Sequence, residues 1–146
     1  MLASCGYRVK SLNHIQPYAS FIGKKFVLKD DCYVNRFKGR EGTGKPVEIT
    51  PPGEDLLPTT ISTNFIGWEN VSSKILGIIR KGSVFTVVGA HRATIPFSLR
   101  DYYYVVVFDD PDNAKWGECN TFWISDFKEP PHFNPKLVEP FETHEK

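Results

Sequence analysis

The chain has 146 residues, of which 40% are hydrophobic and 14% aromatic, and its formal net charge is +1. This length accommodates one domain with short extensions, because single hydrophobic cores usually occupy about 100 to 200 residues. The near balance of 18 basic and 17 acidic residues excludes the concentrated positive surface that duplex nucleic acid normally requires. No segment reaches the roughly 20 consecutive apolar residues of a membrane-spanning helix.

The first segment, residues 1–23, contains glycine, proline and scattered apolar residues, and we expect it to form an extended tether. Its Leu2-Ala3-Ser4-Cys5 sequence resembles the lipobox at which bacterial lipoprotein signals are cut and the cysteine is acylated. The resemblance implies lipid on Cys5, a location in the bacterial cell envelope, and membrane contact through that lipid alone. A complete signal would place a basic and an apolar region before the tetrapeptide. One residue precedes it here, so either the signal has been removed or the match is accidental.

The first predicted strand covers residues 25–34, which are rich in aromatic and β-branched residues with partial alternation. It contains Cys32, one of three cysteines in the chain. If Cys5 carries lipid, Cys32 and Cys119 remain as a possible disulfide, which would account for the odd number. The alternative is that both are ordinary buried thiols.

Residues 38–58 are dominated by glycine, proline, threonine and charged residues, which predicts a long loop. Residues 39–45 satisfy the phosphate-binding pattern G-x-x-x-x-G-K. Pro46 stands where that pattern requires a hydroxyl for Mg²⁺, and the residues after it provide no helix to hold a phosphate. We therefore predict a glycine-rich loop here and no nucleotide site.

The middle of the chain is less clearly patterned. Residues 60–68 can be extended, and residues 74–80 predict a further strand. A helix is an alternative, because apolar residues also recur there at helical spacing, but Gly67 and Gly77 disfavour it.

The second half contains the clearest strands. Residues 83–90 and 101–109 both alternate between two apolar faces. Residues 109–113 are rich in Asp, Pro and Asn and predict a turn. Residues 118–125 predict the last strand, and four prolines exclude a long helix from the tail that starts at residue 129.

One part of this half resembles a known family. A Lys-Gly turn at residues 81–82 leads into the hydrophobic run 84–89, a tyrosine-containing run covers 104–107, and an aromatic segment covers 122–127. In this order the residues of 81–127 resemble the second half of a bacterial SH3-like domain. The resemblance implies a small barrel whose ligands are peptides or peptidoglycan.

The strands and the resemblance together predict an all-β fold. We expect residues 24–128 to form a small SH3-like barrel with a long loop insertion. Residues 1–23 are expected to be its tether, and residues 129–146 a Pro-rich C-terminal tail.

Four aromatic residues are the candidate binding surface, since aromatic side chains with polar tips are typical of peptide and sugar recognition. They are Trp68, Tyr103, Trp116 and Trp123. Trp116 follows a turn and is expected to be the most exposed of them. The alternative for each is packing in the core or beneath a loop.

No residue pattern predicts catalysis, a metal site or a cofactor. The four histidines lack metal-ligand spacing, and the acidic residues of 109–118 fail the spacing of a calcium-binding loop. No motif supplies an activated nucleophile.

These observations predict a non-catalytic, monomeric envelope lipoprotein that presents its barrel to a peptide, peptidoglycan or protein partner. The step from fold to ligand is by analogy. The alternative is an immunity protein or enzyme inhibitor that uses the 38–58 loop to block the active site of a toxin or a lysozyme. An envelope hydrolase is a third hypothesis, for which the sequence offers neither nucleophile nor metal ligands.

Overall fold

The computed structural model describes residues 8–37, 46–95, 99–125 and 132–142. Over these residues nine strands form a single sheet, which confirms the prediction of an all-β protein. The strands are β1 (Arg8–Ser11), β2 (Lys25–Leu28), β3 (Cys32–Phe37), β4 (Val47–Thr50), β5 (Ser73–Ile79), β6 (Val84–Ile95), β7 (Leu99–Phe108), β8 (Cys119–Asn120) and β9 (Val138–Pro140). One helical turn, α1 (Pro111–Ala114), connects β7 to β8. No helix in the described part of the chain is both long and apolar enough to cross a membrane.

The sheet follows the order β5-β3-β4-β8-β7-β6-β2-β9, and β1 pairs with the far half of β6. Every strand from β2 to β9 contributes at least one side chain to the same apolar core. Because one face of eight strands meets in one cluster, the sheet is rolled around that core.

The rolled sheet does not close into a barrel. Its end strands, β5 and β9, do not pair with each other in the described residues. The chain crosses this gap in the turn between β5 and β6, where the Gly82 amide donates to the Leu28 carbonyl and the Leu28 amide donates to the Ser83 carbonyl. The gap leaves part of one strand edge, that of β5, next to solvent.

The two longest strands confirm the strongest sequence prediction. β6 and β7 pair antiparallel from Phe85 opposite Phe108 to Ile95 opposite Leu99, with a bulge before Gly89. Tyr104, Val106 and Phe108 point into the main core, as their alternation predicts.

Three sequence predictions differ from the observed strands and turns. The predicted strand over 25–34 is two strands, β2 and β3, separated by a turn. The predicted 38–58 loop contains β4, which lies between β3 and β8 and is buried at all four positions. In the region predicted to be extended over 60–68, the chain instead makes a 3₁₀ turn at Thr63–Phe65.

The tether and the tail are both part of the fold where they are described. β1 pairs with β6, and Tyr18 stacks on Tyr102 with ring centroids 6.1 Å apart. β9 pairs with β2 along Phe26–Leu28. Each of these segments therefore contributes a strand and a buried side chain to the one sheet.

Candidate functional site

The four aromatic residues proposed from the sequence do not converge on one surface. Tyr103 is buried, with its ring centroid 4.2 Å from that of Phe122 and 5.5 Å from that of His91. Trp123 packs against the same small cluster. Tyr103 is therefore a packing residue, because its ring faces neighbouring side chains on the side of β7 away from the main core.

Trp68 and Trp116 lie elsewhere. Trp68 is 37% exposed and makes an edge contact with Phe65. Trp116 is half-buried and packs against the main core, so the prediction that it is the most exposed of the four was wrong. The physical reason is its position beside a glycine of β5.

A groove of about 510 Å³ runs along β5 between the Thr63–Phe65 turn and the β7–β8 connection. This volume lies within the range of about 300 to 1,000 Å³ that is usual for ligand pockets. Its lining residues are Thr63, Ile66, Leu76, Gly77, Ile78, Arg80, Ser83, Asp110, Asp112, Asn113, Lys115 and Trp116. Apolar side chains of β5 and of Ile66, which follows the Thr63–Phe65 turn, therefore face charged side chains of the β7–β8 connection.

Gly77 and Trp116 lie in close contact in the groove. A Cβ atom placed on Gly77 would lie 2.6 Å from Cζ2 and 3.0 Å from Cη2 of Trp116. The indole therefore occupies the space of the missing side chain and covers the β5 backbone at that point. Its Nε1 atom is buried and has no hydrogen-bond partner among the described residues.

The outer edge of β5 is covered along one half only. There the Ile75 amide donates to the Trp68 carbonyl at 2.9 Å, and the Gly67 amide donates to the Ile75 carbonyl at 2.9 Å. In the register with β3, Ile75 lies opposite Asn35, and Gly77 lies opposite Val34, the residue before Asn35. Leu76 is thus the extra residue of a bulge. After it, the pattern by which alternate residues of β5 direct their N–H and C=O groups toward β3 or away from it shifts by one residue.

After this bulge, Ile78 is the next residue whose backbone points outward. It lies opposite Tyr33, and Tyr33 directs its own backbone groups toward β4, as the alternating ladder requires. Neither the N–H nor the C=O of Ile78 has a hydrogen-bond partner on the outer side of β5 among the described residues. The groove therefore contains an unpaired N–H and C=O on a strand edge.

The charged side chains of the groove differ in whether they have an interaction partner. Asp110 caps α1 and accepts from the Asn113 backbone N–H at 3.1 Å. Arg80 donates to Asp31 at 3.3 Å, and the Lys115 ammonium lies 5.0 Å from the centroid of the Trp116 ring. Asp112 has no hydrogen-bond or ion-pair partner in the described residues. Two basic and two acidic side chains therefore line the groove, and their formal charges balance.

A second surface feature is an exposed apolar knob that consists of Leu56 and Val71. Leu56 is 72% exposed and Val71 is 88% exposed. Asn70 joins the two turns, because its Nδ2 donates to the Leu56 carbonyl at 3.3 Å and its Oδ1 accepts from the Ser73 N–H at 2.8 Å. The knob is thus fixed in position by the side chain next to Val71.

The backbone of this knob is strained. Asp55 and Leu56 have φ angles of 52° and 60°, in the left-handed region that costs an L-residue about 1–2 kcal/mol. Burial raises the pKa of the Asp55 carboxyl, and its Oδ2 has no hydrogen-bond partner in the described part. Two adjacent non-glycine residues in this region hold an apolar side chain in solvent, and strain of this kind is concentrated at functional sites.

The sequence analysis missed both the β5 edge and the knob. The sequence contains no signal for the knob, because Leu56 and Leu57 are adjacent leucines and the positive φ of Leu56 is not encoded by its residue type. Leu57 is the buried one, at 3% exposure. No feature of the sequence indicated that Gly77 would receive Trp116, since they belong to different hairpins.

Cys32 and Cys119 are both buried free thiols, so the predicted disulfide is not formed. In the sheet, β4 separates β3 from β8, and two strand spacings amount to about 10 Å. Cys119 lies opposite Val47, at one end of β4, whereas Cys32 lies beyond the other end. This exceeds the Cα separation of about 7 Å that a disulfide allows.

Burial also makes these thiols unreactive, because it raises the pKa of Cys32 and that of Cys119 to about 12 each. At pH 8 a pKa of 12 leaves a thiolate fraction of about 10⁻⁴. We expect neither thiol to react with iodoacetamide in the folded protein, and two added groups to appear in the intact mass once guanidinium unfolds it. A protein that gains no groups on unfolding until a reductant is added would instead contain the bridge.

Some predicted features lie outside the described residues. These are the lipidation site Cys5 and the glycine-rich residues 39–45. Within the described ranges, no group of three His, Cys, Asp or Glu side chains is placed to hold a metal ion.

Comparison of the chain with protein-family models, with curated proteins and with solved structures found no match.

Proposed function

We propose that this protein is a non-catalytic binding module and that the groove beside β5 recognises an extended segment of a protein partner. One observation carries the proposal: a strand edge with an unpaired N–H and C=O lies in a groove of ligand size, next to an indole. Exposed strand edges are a common docking site for peptides, since main-chain hydrogen bonds supply affinity and neighbouring pockets supply specificity.

The resemblance to bacterial SH3-like domains and the lipobox-like Cys5 support a setting in the cell envelope, and the proposal includes this location. Mass spectrometry of the protein recovered from its native membrane fraction tests it. An acylated Cys5 is the expected result. A full-length protein with a free Cys5 in the soluble fraction would contradict the envelope location and leave the groove unaffected.

Site-specific photocrosslinking in cells tests the groove itself. A benzophenone side chain at Asn113, which lines the groove, is expected to form a discrete protein adduct. The matched control is the same side chain at His14, which is exposed and lies outside the groove. Equal adducts from both positions, or none from Asn113, would overturn the proposal. Sedimentation of the protein with purified sacculi, unaffected by changes at Asn113, would point to peptidoglycan at another surface.

An inhibitor or immunity role is the second candidate function, and the Leu56–Val71 knob favours it. A protruding apolar pair held by a strained backbone is suited to insertion into an apolar cleft of another protein, because its conformation is fixed before binding. Leu56 also belongs to the 38–58 segment proposed for this role from the sequence.

A stability measurement tests whether the positive φ of Leu56 lowers the stability of the folded protein. Leu56→Gly is expected to raise the free energy of unfolding by about 0.5–1 kcal/mol, because glycine adopts a positive φ without the side-chain penalty but gains entropy when unfolded. Leu57→Gly is the matched control and should lower it by about 3 kcal/mol or more, since Leu57 is buried. Urea denaturation measures both. A loss of stability in Leu56→Gly would show that the exposed leucine is needed for folding.

A further inference from the structure

We propose that Lys10 of β1 and Arg92 of β6 form a binding site for a phosphate group that carries two negative charges, either free or as a monoester. The site goes beyond the proposed function. It lies away from the groove, since none of the residues that line the groove belongs to β1 or β6.

The register of the sheet places the two cations side by side. Lys10 and Arg92 are direct partners in the antiparallel pairing of β1 with β6. The Leu12 amide donates to the Ala90 carbonyl at 2.7 Å, and every second pair of such a ladder is hydrogen-bonded. Lys10 and Arg92 therefore form a hydrogen-bonded pair, with Cα atoms about 5.5 Å apart. Their side chains share a face, because directly opposite residues of paired strands do so.

This face is the one that carries the main core. Leu12 and Ala90, each two residues away from the pair along its strand, belong to that core, and residues two apart in a strand point to the same side. The two cations thus lie on the core side of the sheet, just beyond the edge of the core.

The guanidinium of Arg92 has no partner among the described residues. Arg92 is half-buried, and its Nε atom is buried without a hydrogen-bond partner. Tyr102 occupies the position opposite Arg92 on β7 and is 5% exposed, so the arginine lies beside a buried aromatic residue. A charged group that is partly removed from water is unfavourable when it is unpaired, and an anion that binds it removes this cost.

Neither strand supplies an acid to offset the two charges. Residues 8–29 and 84–100 contain no Asp or Glu. Asp101 occupies the position opposite Ala93, and Ala93 belongs to the cluster on the other face. Like charges directly opposite each other destabilise a strand pair. An anion that contacts both side chains relieves this repulsion, so the sign of the ligand's charge is determined by the pair.

The size of the charge favours phosphate over a carboxylate. Arginine presents a planar set of N–H donors to phosphate oxygens, and lysine binds them as a point charge. A phosphate monoester carries about 1.5 to 2 negative charges at neutral pH, which matches the two cations. A carboxylate carries one charge and would leave one cation unneutralised.

Titration with inorganic phosphate tests the site. The ¹⁵N-labelled full chain is titrated at pH 8, with sodium chloride at equal ionic strength as the reference, while NMR follows the Arg92 Nε–H and the backbone amides of Lys10 and Arg92. We expect saturable shifts of all three resonances. Shifts that equal those in sodium chloride, or that do not saturate, would overturn the site.

Related anions identify the form of the ligand. Acetate and dimethyl phosphate each carry one negative charge and should bind about tenfold more weakly than inorganic phosphate. Equal binding of dimethyl phosphate would overturn the requirement for two charges and point to a diester, such as a lipid headgroup. Tighter binding of methyl phosphate than of inorganic phosphate would identify a monoester as the ligand, and the reverse would identify free phosphate.

A second pair of opposite cations provides the matched control. Arg36 and Lys74 are direct partners in the pairing of β3 with β5. Both are exposed, and Glu69 lies opposite Lys74 on its other side. We therefore expect Lys74→Gln to leave phosphate binding unchanged.

Lys10→Gln and Arg92→Gln are each expected to weaken phosphate binding about fivefold or more. Lys10 is exposed, so Lys10→Gln keeps the test decisive even if Arg92→Gln lowers the stability of the fold. An equal loss of binding in Lys10→Gln and Lys74→Gln would show a general effect of net charge and overturn the assignment to Lys10 and Arg92.

Discussion

Replacing Phe133 with alanine is expected to lower the free energy of unfolding by about 3–4 kcal/mol, because large aromatic side chains in a core cost about 3–5 kcal/mol to remove. Its ring centroid lies 4.7 Å from that of Phe26, 5.2 Å from that of Tyr104 and 5.4 Å from that of Phe85. The side chain is 8% exposed. A residue predicted to lie in a loose tail is therefore at the centre of the largest aromatic cluster in the described residues.

Phe141→Ala is the matched control, because Phe141 belongs to the same segment and is 39% exposed. We expect its effect to stay below about 1 kcal/mol. Chemical denaturation of both variants, with the slope of the transition compared as well as its midpoint, measures the difference. Equal and small effects would show that Phe133 does not complete the core.

Gly77→Ala is expected to destabilise the protein by about 1–3 kcal/mol, since its Cβ would meet the Trp116 ring at 2.6 Å. The indole is half-buried, so it can move outward, and a red shift of the tryptophan emission should accompany the loss of stability. In the double variant Gly77→Ala with Trp116→Ala the clash is absent. That variant should be no less stable than Trp116→Ala alone.

Gly89→Ala provides the control for this experiment. Gly89 is also a buried strand glycine beside a bulge, but its added Cβ would lie 3.3 Å from the nearest atom, a side-chain nitrogen of His91. We expect a cost below about 1 kcal/mol, because a side chain of this kind can adjust. Additive effects of Gly77→Ala and Trp116→Ala, with no coupling in the double-mutant cycle, would contradict the contact.

Long strands with regular alternation were predictable from the sequence, and very short strands were not. Tyr104, Val106 and Phe108 predict β7, because every second residue there is large and apolar. β4 alternates as well, since Val47 and Ile49 are apolar, but it has only four residues beside glycines and prolines, and its polar residues Glu48 and Thr50 are buried too, at 1% and 0% exposure. Their burial depends on pairing with β3 and β8, which local sequence does not encode.

The prolines of the C-terminal segment gave an incomplete prediction of its structure. The prolines after residue 129 exclude a helix, but they do not exclude a short edge strand whose unpaired side faces solvent. Pro140 lies opposite Phe26 at the end of β9, where the missing N–H costs little. Within residues 132–142 the tail therefore contributes a short edge strand to the sheet.

The candidate site depended on contacts between distant segments. Trp116 was named from the sequence because it follows a turn, but its role depends on Gly77, which comes from another hairpin. The edge of β5 became visible only from the register with β3, where the bulge at Leu76 turns Ile78 outward. A single sequence without pairing information contains neither fact.

The pairing of β9 with β2 has a consequence for biosynthesis. A nascent chain emerges from the ribosome with its N-terminal segments first, at about 5–20 residues per second. Phe26 and Phe85 then remain without their contacts to Phe133 until synthesis has passed that residue. Contacts between such distant segments also slow folding in general. We therefore expect the aromatic cluster of the core to be completed only late in translation, once Phe133 is free to reach Phe26 and Phe85.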